Sequence, residues 1–205
     1  MPRSRPAKAV FLNVPFDATF RPLFEALVFA VTDCAFRPRC ALEASDGGHV
    51  RVAKIHLIIA SCDFGVHDIS RTELDEKTKL PRFNMPFELG LFLGAKRFGN
   101  ARQRRKSTLI LDRERFRFQS YLSDIAGQDI KAHGDDPALL IRAVRDWLRD
   151  AGPQRPMPSS TVIVGRYAQF RNDLPELCRK LRLDPDELTF NDYTRVIRRW
   201  LLDNV

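Results

Sequence analysis

The chain has 205 residues, 44% hydrophobic and 29% charged, with a formal net charge of +8. Those values are the ones of a soluble globular protein, one ordinary domain plus an appendage. No apolar run approaches the roughly 20 residues that a bilayer span needs. The basic Met-Pro-Arg-Ser-Arg-Pro start leads straight into a strand-like run with no signal-peptide apolar region, so a cytoplasmic protein is expected.

Residues 8–16 read as a buried first strand, short, β-rich and stopped by Pro15. Residues 20–31 then place Phe20, Leu23, Phe24, Leu27, Val28 and Val31 on one helical face. A second strand is expected over 36–43 and a turn at Asp46-Gly47-Gly48. Residues 49–61 have the period of a helix but the β-branched content of a strand; their length favours the helix. A third strand over 64–70 carries Asp68 and Ser70 at or past its end, and 71–82 is a charged loop.

The next helix opens near Asn84 and Met85, with Pro86 in the first turn, where a missing N–H is harmless. Glu88 lies about one turn in, at the head of a stripe formed with Leu91, Phe92 and Ala95. Gly90 and Gly94 clear an adjacent face, which predicts close packing of this helix against a neighbour. Ser107–Leu111 is a fourth strand ending at Asp112, and 128–133 is a short fifth one; 113–127 is expected to hold a short helix and a turn at Gly127. Asp136-Pro137 starts a helix that runs to about 150.

Pro153, Pro156 and Pro158 mark a linker over 153–160. The tail, 161–205, reads as helical, with a restart at Asp173-Leu-Pro175 and a Thr189-x-x-Asp192 capping box. Domain organisation is thus an α/β domain over 1–152, the linker, and a helical C-terminal appendage.

Strand and helix alternate five times, so the expected fold is α/β, a five-stranded parallel sheet of order 2-1-3-4-5 with helices on both faces. Ligands of such sheets bind beyond the carboxyl ends of the strands, beside the first and third. Asn13, Pro15, Phe16 and Asp17 follow strand one, Asp68 and Ser70 follow strand three, and Asn84 and Glu88 open the next helix. Remote polar residues therefore converge on one rim.

Phe11-Leu-Asn-Val-Pro-Phe-Asp17, an Asp after the third strand, and Phe87-Glu-Leu-Gly90 followed by Gly94 resemble nucleoside 2-deoxyribosyltransferases. The same flavodoxin-like core, with a comparable helix Glu, occurs in bacterial Toll/interleukin-1 receptor-like (TIR-like) proteins that cleave NAD. The resemblance covers about residues 8–150 in layout. It implies attack on an N-glycosidic bond of a nucleoside, nucleotide or NAD, whose oxocarbenium-like transition state wants a carboxylate at C1′. Glu88 would be that carboxylate and Asp68 a second acid–base group or a ligand for base or ribose. Asn13 and the 14–17 loop would line the sugar or phosphate side, and Asn84 would orient Glu88 or the ribose. Self-association is a further implication, since neighbouring subunits often complete the pocket in that family. Met85-Pro86 departs from the small or acidic residue usual before the Glu motif, and the 71–82 loop is long.

Each candidate has a structural alternative. Glu88 would complement the helix dipole, Asp17 and Asp68 would cap turns, Ser70 and Asn84 would be ordinary turn residues, and Phe16 and Phe87 would be core. Asp112 reads as a loop starter and His67 as a satisfied strand residue. A non-catalytic nucleotide-binding or signalling module on the same core is the competing function. Arg-rich stretches at 3–8, 96–106 and 195–199 allow nucleic-acid binding, which no motif supports. The four cysteines are scattered, with no Cys-x-x-Cys pair and no His at metal spacing, so buried thiols and no metal or other cofactor are expected. No Gly-x-Gly-x-x-Gly follows strand one, which disfavours a redox dinucleotide fold.

Overall fold

A computed structural model describes residues 7–43, 48, 50–153 and 155–205. Five parallel strands, β1 (Ala9–Asn13), β2 (Arg37–Arg39), β3 (Phe64–Asp68), β4 (Ser107–Asp112) and β5 (Lys131–Ala132), form one sheet of order β2-β1-β3-β4-β5. Between and after them come α1 (Arg21–Asp33), α2 (Arg51–Ser61), α3 (Asn84–Phe98), α4 (Pro137–Ala151), α5 (Ser160–Leu181) and α6 (Phe190–Asn204). No described helix is long and apolar enough to cross a membrane.

Strand residues alternate between two faces because the side-chain period of a strand is two. Val10, Leu12, Phe64, Val66, Leu109 and Leu111 join the larger core with α1, α4, α5 and α6. Ala9, Phe11 and Ile110 point the other way, against α2 and α3, where Ile55, Ile58, Ile59, Leu89 and Phe92 cover them. Both faces are therefore sealed, and the only polar strand residues buried in the sheet lie at its carboxyl edge: Asn13, His67, Asp68 and Asp112 among the described residues.

Several local expectations change. The second strand is three residues long, and Ala41–Glu43 turns into a 3₁₀ segment. Pro38 removes a ladder donor, which an edge strand such as β2 tolerates and a long strand would not. Residues 113–127 form two 3₁₀ turns, Arg117–Ser120 and Ser123–Ile125, in place of a helix. The expected turn at Asp46-Gly47-Gly48 lies largely outside the described residues.

The tail does not hang free. Ile163, Tyr167, Phe170, Phe190, Tyr193, Val196, Ile197 and Trp200 belong to the same core as α1 and α4. Phe29 of α1 touches the rings of Tyr167, Phe170 and Trp200 at 5.2–6.0 Å. Helix α5 also runs unbroken through Pro175, where a restart was expected. Packing on both sides of the proline, by Phe170 before it and Cys178 after it, overrides the lost hydrogen bond. The capping box at Thr189 and Asp192 is present, and Asp136 caps α4.

Candidate functional site

Helix α3 runs back from the carboxyl edge of the sheet, and its first turn is pinned there. The Asn13 side-chain amide donates to the Met85 carbonyl at 2.8 Å and to His67 Nδ1 at 3.0 Å. A carbonyl only accepts, so the NH₂ group faces both partners, and the His67 ring proton sits on Nε2. Burial pushes the His67 imidazolium down to about 3, so the ring is neutral. Asn13 Oδ1 and His67 Nε2 are buried with no hydrogen-bond partner among the described residues. His67 packs against Phe92, with ring centroids 4.8 Å apart.

Glu88 lies one turn ahead of Phe92 on the same buried strip of α3, at 5% exposure. It caps nothing: the first turn of α3 holds no acid, so the helix-dipole alternative fails on position. Among the described residues its carboxyl has no hydrogen bond and no ion pair. Burial raises it to about 7, against a smaller opposing pull from the Arg51 guanidinium at the start of α2.

The remaining candidates divide by strand face. Asn13 and His67 point to the α2/α3 side and Asp68 to the α1/α4 side, so Asp68 does not share Glu88's surroundings. Asp68 is fully buried, and its Oδ1 accepts from the Ser70 backbone N–H at 2.9 Å and hydroxyl at 2.5 Å. Its Oδ2 lies 3.0 Å from His133 Nε2, off the line of a hydrogen bond. Asp68 and Ser70 thus form a closed turn, as the structural alternative has it. Asn84 is exposed with no hydrogen bond of its own among the described residues, and it does not orient Glu88.

Asp17 holds the β1–α1 turn. Its Oδ1 accepts from Thr19 Oγ1 at 2.5 Å and Phe20 N–H at 2.9 Å, and Oδ2 lies 3.7 Å from Arg71. Burial raises its proton affinity, but those hydrogen bonds and Arg71 outweigh that and leave the carboxyl below its usual range. Asp17, Arg71, Arg82 and Arg113 border an open polar cleft of about 420 Å³. Pro15 and Phe16 line a separate, more apolar cavity. Phe16 is 37% exposed and meets Phe24 edge-on at 5.5 Å, so it is not core. Phe87 is not core either, at 57% exposure.

Two features escaped the sequence. Asp112 is a hub: it accepts from Arg117 Nε at 3.0 Å and Nη2 at 2.8 Å, from Tyr121 hydroxyl at 2.8 Å and from Arg113 N–H at 2.7 Å. Arg117 also donates to the Ser70 carbonyl and to Thr72, so this acid locks the ends of β3 and β4 together. The Asp112, Arg117, Tyr121 spacing was its one signal. The second is α3's outer face. A Cβ at Gly90 or Gly94 would meet nothing within 4 Å, so the expected close packing there does not occur. Phe83 is 67% exposed beside them, and Leu74 and Leu80 of the preceding loop are exposed as well.

Comparison of the chain with models of protein families, with curated proteins and with solved structures finds no match in any of the three.

Proposed function

We propose that the chain cleaves, or transfers at, the N-glycosidic bond of a nucleoside, nucleotide or NAD, with Glu88 as the carboxyl at C1′. The observation that carries the reading is a carboxyl buried on the carboxyl edge of the sheet with no fixed partner. A structural acid at 5% exposure would be expected to hold a cation or a cap. An unpaired one retained at such a cost is the pattern of a functional group.

In this reading the C1′–N bond breaks, and the bonding electrons leave with the base. The Glu88 carboxylate stabilises the cation at C1′ or closes on it as a glycosyl ester. Water or an acceptor base then attacks C1′, the attacking group's proton passes to the departed base or to solvent, and the carboxylate is released. Because burial raises the Glu88 carboxyl, to about 7, its ionised, competent form grows as pH rises. Asp68, held by Ser70 and set against His133, keeps the rim in shape and takes no proton from substrate.

The test is incubation with NAD and a panel of nucleosides, with chromatography for freed base. Turnover that rises with pH through about 7, and that Glu88→Gln removes, is expected. A Glu88→Gln protein working at the wild-type rate would sink the assignment.

A second reading has an observation of its own. The uncovered Phe83, Phe87, Gly90, Gly94 face of α3 suits a protein–protein contact, and a second copy of the chain is the occupant we infer. In that reading the core binds nucleotide without consuming it and assembles through α3. Calorimetry that finds nucleotide binding but no product over hours would favour it.

A further inference from the structure

The helical tail supplies one wall of the apolar cavity at the sheet rim, which measures about 380 Å³. Pro15 and Phe16 of the β1–α1 segment, Phe24 of α1 and Leu42, after β2, line it. Leu188 and Phe190, from the α5–α6 turn and the start of α6, line it as well. The turn is tied down there: Arg21 donates to the Pro185 carbonyl at 3.1 Å, and Asn191 donates to the Glu43 carbonyl at 3.1 Å. Phe16 and Leu42 remain 37% and 42% exposed inside this concave surface.

The lining includes three carboxylates, Asp17, Glu25 and Asp186; Arg71 lies 3.7 Å from Asp17, and Arg21 and Arg171 lie 2.8 and 3.8 Å from Glu25. Asp186 has no side-chain partner among the described residues. Aromatic walls with the unpaired Asp186 carboxylate as acceptor suit a flat ring that presents an N–H donor.

We propose that this cavity is a purine-base subsite completed by the tail. It lies on the α1/α6 side of β1, whereas Glu88 lies on the α2/α3 side. A base held here is therefore not the base that Glu88 releases. Resting on the glycosidic reading of Glu88, the inference narrows the substrate to one with two nucleoside ends, NAD being of that class. The polar cleft next door shares Asp17 and contains Arg71, whose Nε is buried without a hydrogen-bond partner, as the cation nearest that junction.

The experiment titrates AMP and ribose 5-phosphate into the full chain by calorimetry, and measures NAD turnover in parallel. AMP should bind, with ribose 5-phosphate at least tenfold weaker. Leu188→Trp, which fills the cavity, and Phe16→Ala, which removes a wall, should each weaken AMP at least tenfold. Both should raise KM for NAD while kcat holds, with melting curves reporting that the variants fold. Wild-type protein that ignores AMP, or variants that bind it undiminished, would overturn the subsite. AMP binding that depends on Leu188 in a protein with no NAD turnover leaves the subsite standing and removes the role given to Glu88. NAD turnover that needs Glu88 but is indifferent to Leu188→Trp and Phe16→Ala does the reverse.

Discussion

The side-chain amide of Asn13 reaches the backbone carbonyl of Met85 at 2.8 Å, across 72 positions of sequence. That bond joins the end of β1 to the first turn of α3, three residues before Glu88, while the same amide holds His67. Asn13→Ala leaves His67 Nδ1 buried and unpaired, which costs about 1–3 kcal/mol. Urea unfolding should show that loss. Any glycosidic turnover should fall with it, because the start of α3 is no longer held.

Glu88 makes stability depend on pH with a defined sign. In the unfolded chain its carboxyl ionises near 4.5, and in the folded chain at about 7. Between those values the folded state keeps a proton that the unfolded state has released, so stability falls as pH rises through 7. Glu88→Gln removes that slope. Its gain over wild type should grow from near zero below pH 4.5 to, at most, on the order of 3 kcal/mol above pH 7. His67, buried neutral, has the opposite slope, losing stability as pH falls below 6.5. The difference between Glu88→Gln and wild type cancels it. A difference that stays constant from pH 5 to 8 would mean that Glu88 ionises as in water.

Gly65 is required by its neighbours. A Cβ there would stand 2.7 Å from His67 Nε2 and 2.8 Å from the Phe92 ring, both in a sealed layer. Gly65→Ala should destabilise by about 1–3 kcal/mol, as overpacking does. Unchanged unfolding would show that the His67 and Phe92 rings can move apart.

Pro175 sits in the interior of α5, where it denies the Arg171 carbonyl its helical donor. Pro175→Ala should raise stability by about 1–3 kcal/mol: restored helix propensity, less the entropy that proline removes from the unfolded chain. Thermal unfolding reads this as a rise of some degrees. A lower melting temperature would show that the surrounding packing depends on the proline ring.

On the outer face of α3, Phe83→Ser with Phe87→Ser should raise solubility and lower any self-association seen by light scattering, with the fold intact. These side chains touch solvent and leave the core untouched, so a loss of stability above about 0.5 kcal/mol would contradict their exposure.

The order of strands and helices was legible because it rests on local patterns. Alternation of short apolar runs with 3.6-period stretches dictates a covered parallel sheet, and right-handed crossovers leave few arrangements for five strands. The capping box at Thr189 and the cap at Asp136 were readable for the same reason: a cap is made by residues two or three positions apart. Convergence of Asn13 and the start of α3 on one rim also followed from topology.

The sequence alone therefore determined which segments form the sheet, which edge gathers the polar residues, and that Glu88 heads a buried stripe. It did not determine which of those residues share a face, since a one-residue difference at a strand end sends Asn13 and Asp68 to opposite sides. Only tertiary packing settled that Asp68 is buried with Oδ1 on Ser70 and Oδ2 against His133, that Asp112 holds Arg117, and that α5 continues through Pro175. The physical reason is that Asp68 comes up against His133, and Arg117, held by Asp112, ties down Ser70 and Thr72, across more than forty positions of sequence, while α5 is held across Pro175 by packing on the main core; such contacts outweigh the local preferences that a linear pattern records.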